Sequence, residues 1–328
     1  MSFLSASSLT GSTLLIILGM SSCATKAPEN KAIHSLLEAD VGIVDDSFVA
    51  KAMTEAEKHP TGSQEQLKNE LKRKVRWWIH YYTVRDRERF ERNLGRGENY
   101  RPLVQQILWQ EKLPPELYYL ALIESGYVMH ATSSTAAVGI WQFMKPTAIT
   151  YGLEVDSFWD ERQHPVAATY AAAHYLTSLH QKFNSWYMAI AAYNAGQGRI
   201  ARAARVGRSN DFWFLAEHGF IPHETMDYIP KFLAAATIGE NLKKFGFGSP
   251  TQSLSWPEFV PVFLKPGIKL KQLAKQSSLK ESEILRFNPH LEKALARNSL
   301  KPIRIWVPKE LAVRFVSHKV SLASRDSR

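Results

Sequence analysis

One cysteine, Cys23, stands in 328 residues, so no intramolecular disulfide can staple the fold. The apolar run Leu14-Leu15-Ile16-Ile17-Leu18 falls far short of the ~20 residues that a membrane-spanning helix needs. Glycine (17) and proline (16) are ordinary in number, which excludes collagen-like and low-complexity classes. Val/Thr runs are few, whereas Ala-rich stretches with helical spacing recur, so a mainly α protein is expected. His130, His164, His174, His180 and His223 lack metal-ligand spacing, and no P-loop, dinucleotide glycine pattern or Ser/His/Asp order is convincing. No metal and no cofactor are therefore expected. The 45% hydrophobic content suffices for one sizeable core and a second small one.

Charge is present in excess of one sign. The net value is +10, which admits nucleic acid, anionic lipid or a carboxylate-rich polymer as partner. Its distribution is uneven: residues 24–65 hold eight Asp/Glu against four Lys, so the remainder is more basic than the average. Charge alone does not choose the partner.

Cys23 is informative by position. The apolar run before it ends in Gly19-Met20-Ser21-Ser22, which has the length and small-residue end of a signal peptide. Small residues followed directly by Cys resemble a bacterial lipobox, in which the Cys is lipidated and becomes the mature N-terminus. Met20 stands where Leu is usual, and no Lys or Arg precedes the run. The bland alternative is a buried free Cys near a frayed end. Ala24 after the Cys, by resemblance to bacterial lipoprotein sorting, points to the outer membrane, facing the periplasm of a Gram-negative cell.

Six segments follow from composition and punctuation. Residues 1–23 form the expected lipoprotein signal peptide, and 24–66, polar and acidic, a flexible tether. Residues 67–113 are expected as a helical extension, with Leu67, Leu71, Val75 and Trp78 at spacings of three and four. Arg85, Arg87, Arg89 and Arg92 interleave there with Trp77, Trp78, Tyr81, Tyr82 and Phe90. Basic plus aromatic fits a nucleic-acid binder. Glu70, Asp86, Glu88 and Glu91 at helical pairing distances favour instead a charged solvated face over an aromatic stripe. Residues 114–248 are expected to hold helices near 141–151, 165–183, 186–206 and 226–244. Residues 255–310 have β-α-α-β order, with strands at Phe259–Leu264 and Ile303–Val307, and 311–328 form a tail.

The chemistry centres on Glu124. Leu120 and Leu117 lie four and seven residues before it, on its own helix face. A carboxylate ending an apolar stripe is desolvated, and a carboxyl kept protonated near neutrality can protonate a leaving oxygen. The alternative is a Glu that reaches solvent at a helix end before Gly126; on this observation the two readings are even. Three further motifs accompany it. Gly139-Ile140-Trp141-Gln142-Phe143-Met144 joins a close-approach glycine, an aromatic and an amide; Trp141 serves either a sugar face or packing. Ala192-Tyr193-Asn194-Ala195-Gly196 sets two polar groups in an Ala run, and Glu224-Thr225 with Tyr228 stands at a helix start. Arg199, Arg202, Arg205 and Arg208 face either anionic substrate groups or solvent.

Together and in order, these motifs resemble the lytic transglycosylase family with a lysozyme-like catalytic domain, closest to a membrane-bound subgroup. The resemblance covers about 67–248 well and 255–310 loosely. It implies a lysozyme-like helical catalytic domain preceded by extra helices, and a small β-α-α-β module similar to a LysM glycan-binding repeat. It implies peptidoglycan glycan strands as substrate, with Glu124 as sole acid/base. Glu124 would protonate the oxygen between N-acetylmuramic acid and N-acetylglucosamine. It would then take the muramyl 6-hydroxyl proton, leaving a 1,6-anhydro end. Ser125, Gln142, Phe143, Met144, Tyr193 and Glu224 would bind substrate or support the acid. Gly267-Ile268-Lys269 stands where the LysM pattern has Gly-Asp-Thr. Two further outcomes stay open. One is a muramidase using water, with Asp156, Asp160 or Glu224 as base. The other is a catalytically inactive peptidoglycan-binding lipoprotein. A nucleic-acid partner is disfavoured by the export signal.

Overall fold

The computed structural model describes residues 64–156, 159–248, 256–288, 291 and 302–318. Cys23, the signal peptide and most of the tether lie outside them. Among the described residues no helix is long and apolar enough to cross a membrane. The described residues are mainly α, with one two-stranded sheet among them.

The extension is three helices: α1 (Gln64–His80), α2 (Arg87–Glu98) and α3 (Arg101–Gln110). A π-helical turn, Tyr81–Arg85, separates the first two and buries Tyr82, whose ring stacks on Phe90 of α2 at 4.1 Å. A 3₁₀ turn at Pro115–Leu117 leads into α4 (Tyr118–Ser125), whose residues 118–122 are all buried. Gly126 ends α4 at φ +60°, where a Cβ would meet Asn93 at 2.4 Å.

α5 is shorter than the expected 141–151 helix, spanning Lys145–Thr150. Gly139 to Phe143 form a tight turn instead. Val138 bridges Phe143, and Gln142 takes a left-handed φ of +48°. The reason is tertiary: Trp141 and Phe143 are buried in the core, which helical phasing over 139–144 does not provide.

α6 (Pro165–Phe183) starts where Pro165 allows and ends at Asn184, φ +50°. The stretch expected at 186–206 is two helices, α7 (Trp186–Ala195) and α8 (Gln197–Gly207), broken at Gly196 with φ +88°. α7 is apolar nearly all round, as befits the central helix of the core. α9 (Phe212–Glu217) and α10 (His223–Glu240) complete this body, with α10 packed on α1, α4 and α7.

β1 (Phe259–Leu264), α11 (Leu270–Ser277), α12 (Glu281–Phe287) and β2 (Ile303–Pro308) form the β-α-α-β unit. The strands pair antiparallel from Phe259↔Pro308 to Leu264↔Ile303. Val262, Leu273, Ile284 and Ile305 share a small separate core. Asn288 fastens the unit from within: its Nδ2 donates to the Trp306 carbonyl at 2.8 Å and its Oδ1 accepts from the Trp306 N–H at 2.6 Å.

The unit is docked on the helical body. Trp306 stacks on Tyr170 of α6 at 5.7 Å. Buried His164 donates from Nε2 to the Phe287 carbonyl at 2.8 Å, while its Nδ1 accepts from Ala167. Burial pushes its pKa down to about 3, which keeps this neutral arrangement across the physiological range. Arg304 donates from Nε to fully buried Glu161 at 2.8 Å and from Nη2 to the Gly152 carbonyl. Arg304→Met strands the Glu161 charge, so it is expected to lower stability by about 3–5 kcal/mol. Joint replacement with Glu161→Leu should recover most of the loss. Urea unfolding of both variants checks this; an unaltered single variant would show the pair contributes nothing.

Candidate active site

A cleft of about 580 Å³ opens between α2 and the loop after α4. Its floor is Leu122 to Gly126. One wall is the Asp86, Arg89, Arg92, Asn93 and Arg96 side of α2; the other is Ala131 to Ser133 with Gln142. Tyr82 and Lys231 also line it.

Glu124 sits half-buried in the floor. The stripe behind it, Leu117 and Leu120, is wholly buried. Burial pushes its carboxyl above the usual carboxylate range. The Tyr228 hydroxyl, which donates to Oε1 at 2.5 Å, and the Lys231 charge pull the other way, while Glu224 adds to the rise. The Lys231 ammonium lies over Trp78 and reaches the Ile123 carbonyl at 3.4 Å; burial lowers its pKa, opposed chiefly by Glu124. Tyr228 and Lys231 are one helical turn apart on α10, so one face of that helix serves the acid.

The turn beside Glu124 is held from three directions. Ser125 donates from Oγ to the Ile140 carbonyl at 2.9 Å, and Tyr193 donates from its hydroxyl to the Trp141 carbonyl at 2.7 Å. Buried Arg162 donates to the Phe143 and Ala136 carbonyls, both at 3.1 Å, and takes Asp160 with two nitrogens at 2.8 and 2.7 Å. Its own carbonyl presses on Gly139, where a Cβ would sit 1.8 Å away.

The expected site residues fall into two groups. Glu124, Ser125 and Gln142 line the cleft together. Gln142 spends its Nε2 on the Gly139 and Ala131 carbonyls, at 2.8 and 3.3 Å, which leaves its oxygen as the group for a ligand. Tyr193 stands behind the turn, its hydroxyl committed to Trp141. Phe143 does not meet the cleft: it is buried among Tyr175 and Tyr193 because the turn points it inward. Trp141 is likewise fully buried, its Nε1 donating to Thr169 at 3.0 Å, so packing explains it. Met144 is exposed at the start of α5, and Glu224 is exposed in the first turn of α10; neither lines the cleft. Asn194 accepts from Thr225 at 3.0 Å and ties α7 to α10.

Lys231 and the α2 wall line the cleft without belonging to any of the four sequence motifs. Glu224, Tyr228 and Lys231 at spacings of four and three carried a signal, since that spacing gives one helix face.

Residues 103–214 match the family profile of the transglycosylase SLT domain. Glu124, Ser125, Gln142 and Tyr193 belong to it, whereas Tyr228, Lys231 and α2 come from outside its matched span. Over 222 residues the chain is 33% identical to membrane-bound lytic murein transglycosylase D of Escherichia coli K12, covering 66% of this chain and 48% of that one. The chain thus spans about half the length of that relative. It is 39% identical over 103 residues to peptidoglycan transglycosylase gp16 of Escherichia phage T7, covering 30% of this chain and 8% of that one. Among solved structures, a lytic transglycosylase Slt of Pseudomonas aeruginosa matches with TM-score 0.36 and 26% identity, over 47% of this chain and 25% of that one.

Proposed function

We propose that the chain is a peptidoglycan lytic transglycosylase that cuts the MurNAc–GlcNAc β-1,4 bond, with Glu124 as its single acid/base. The observation that carries this is a raised, half-buried carboxyl on the cleft floor of an SLT domain, bonded by Tyr228. In its acid form Glu124 gives its proton to the glycosidic oxygen. The Tyr228 hydroxyl holds one carboxyl oxygen and leaves the other to carry the proton. The carboxylate that results is stabilised by that same hydroxyl and by Lys231. It then removes the proton of the muramyl 6-hydroxyl, which attacks its own anomeric carbon. An intramolecular nucleophile has high effective concentration, so no positioned water is needed.

Hydrolysis would need a second free carboxylate. Asp86 is the other carboxylate lining the cleft, and Arg89 holds it at 2.7 Å. Asp160 is taken by Arg162. Ser125 and Tyr193 act as supports of the turn that carries Gln142, whose amide oxygen meets an acetamido or hydroxyl group of the strand. The β-α-α-β unit serves as a LysM-like module, and Cys23 anchors the protein by lipid to the outer membrane, on its periplasmic side.

The test is mass spectrometry of products released from purified sacculi. Ends with 1,6-anhydromuramic acid are expected. Reducing muramic ends would mean hydrolysis, and release of nothing with binding retained would leave a wall-binding protein.

A further inference from the structure

The α2 wall of the cleft is where charge fails to cancel. Arg89, Arg92, Arg96 and Lys231 line the cleft against two carboxylates, Asp86 and Glu124. Asp86 is used by Arg89, through Nε at 2.7 Å and Nη2 at 2.5 Å. Arg96 is spent on the Gly126 carbonyl at 2.9 Å and on Asn93 Oδ1. Lys231 faces Glu124. Arg92 differs: its ion-pair partner is Glu88 at 3.8 Å, a residue whose side chain is 92% exposed. So long and screened a contact holds the guanidinium weakly. Arg92 is itself 63% exposed at the cleft rim. Leu94, on the side of α2 turned away from Arg92, is buried in the core, and Phe90 at the cleft edge is buried as well, so the helix presents this rim rigidly.

Resting on the transglycosylase reading, we propose that Arg92 forms a carboxylate-binding subsite for the peptide stem borne by the muramyl residue. The chemistry fits a carboxylate: a free planar guanidinium takes its two oxygens in a fork. The place fits as well, since the stem is attached to the sugar whose bond meets Glu124. The rim lies before residue 103, outside the span matched by the family profile. The neighbouring Arg89 is paired with Asp86, and Arg96 has donors committed to the Gly126 carbonyl and Asn93, which leaves Arg92 as the guanidinium with its fork open.

The experiment compares kcat/KM on glycan strands with intact stems and on the same strands stripped by an amidase, with the lactyl carboxylate that the cleavage exposes capped as a methylamide. Arg92→Gln is expected to lower the wild-type ratio of intact to stripped about tenfold, through KM, as loss of one charged hydrogen-bonded contact implies. Arg92→Glu should lower it further, Arg92→Lys should restore part of it, and salt should shrink the wild-type ratio. An equal ratio in wild type and Arg92→Gln overturns the subsite while leaving the transglycosylase reading intact. Wild type that yields no anhydro ends from either substrate overturns both. Loss of the preference only upon adding competing DNA would reassign the rim to nucleic acid.

Discussion

Glu124→Gln is expected to cut anhydro-product formation by about 10²–10⁴-fold, the range for removing a positioned acid, while making the protein more stable at neutral pH. Both effects have one cause. Burial lifts the carboxyl above its ordinary range, so the folded state holds the proton more tightly than the unfolded chain does. The stability this proton supplies is fully present below the unfolded carboxylate pKa. It is lost as pH rises through the folded one, because a charged carboxylate must then be buried. Gln keeps the shape, still accepts from Tyr228, and never ionises. The melting-temperature advantage of the variant should therefore be absent near about pH 4 and grow toward about pH 8. In wild type, kcat/KM should fall as pH rises through the same folded pKa. Calorimetry over that range checks the first claim and a pH–rate profile the second. A variant no more stable than wild type at neutral pH would mean that burial does not penalise the Glu124 charge.

Gly139→Ala is the second large effect, and its cause is steric. The residue has φ +84°, and the added Cβ would sit 1.8 Å from the Arg162 carbonyl. That carbonyl cannot easily withdraw. Arg162 is buried, paired twice with Asp160 and bonded to the Phe143 and Ala136 carbonyls. The conformation alone costs about 1–3 kcal/mol, and the clash adds a further cost of about the same size. Gly152 separates the two terms. It has φ +85° with nothing within 4 Å of its Cβ position, so Gly152→Ala carries the conformational term alone. Urea unfolding should show Gly139→Ala as clearly the worse of the two. Its activity should drop as well, because the turn that moves carries Gln142 and the Trp141 carbonyl. Equal destabilisation by both variants would remove the clash from the account.

Much of the fold was legible because it is written locally. Pro165 and Asn184 bound α6 where the pattern placed it, and Gly126 ends α4. The β-α-α-β order was visible in Val/Phe-rich and Ile-rich runs around two short amphipathic stretches. The errors sit where long-range packing overrode local preference. Gly139 to Met144 scanned as a helix start, yet burial of Trp141 and Phe143 forces a turn with Gln142 left-handed. The 186–206 stretch carried one helical pattern across Gly196, and the structure breaks it there.

The same division runs through the site. Sequence by itself determined that Glu124 ends an apolar stripe, because Leu117, Leu120 and Glu124 share a face through helical spacing alone. It also determined the mainly α class and the order of the motifs. Only the tertiary structure decided what surrounds the acid. Tyr228 and Lys231 lie 104 and 107 residues further along the chain, and α2 was one charged helix among several. Periodicity names the buried face of a helix. It carries no information on which distant face packs against it, and that choice places a hydroxyl, an ammonium and an arginine rim around one carboxyl.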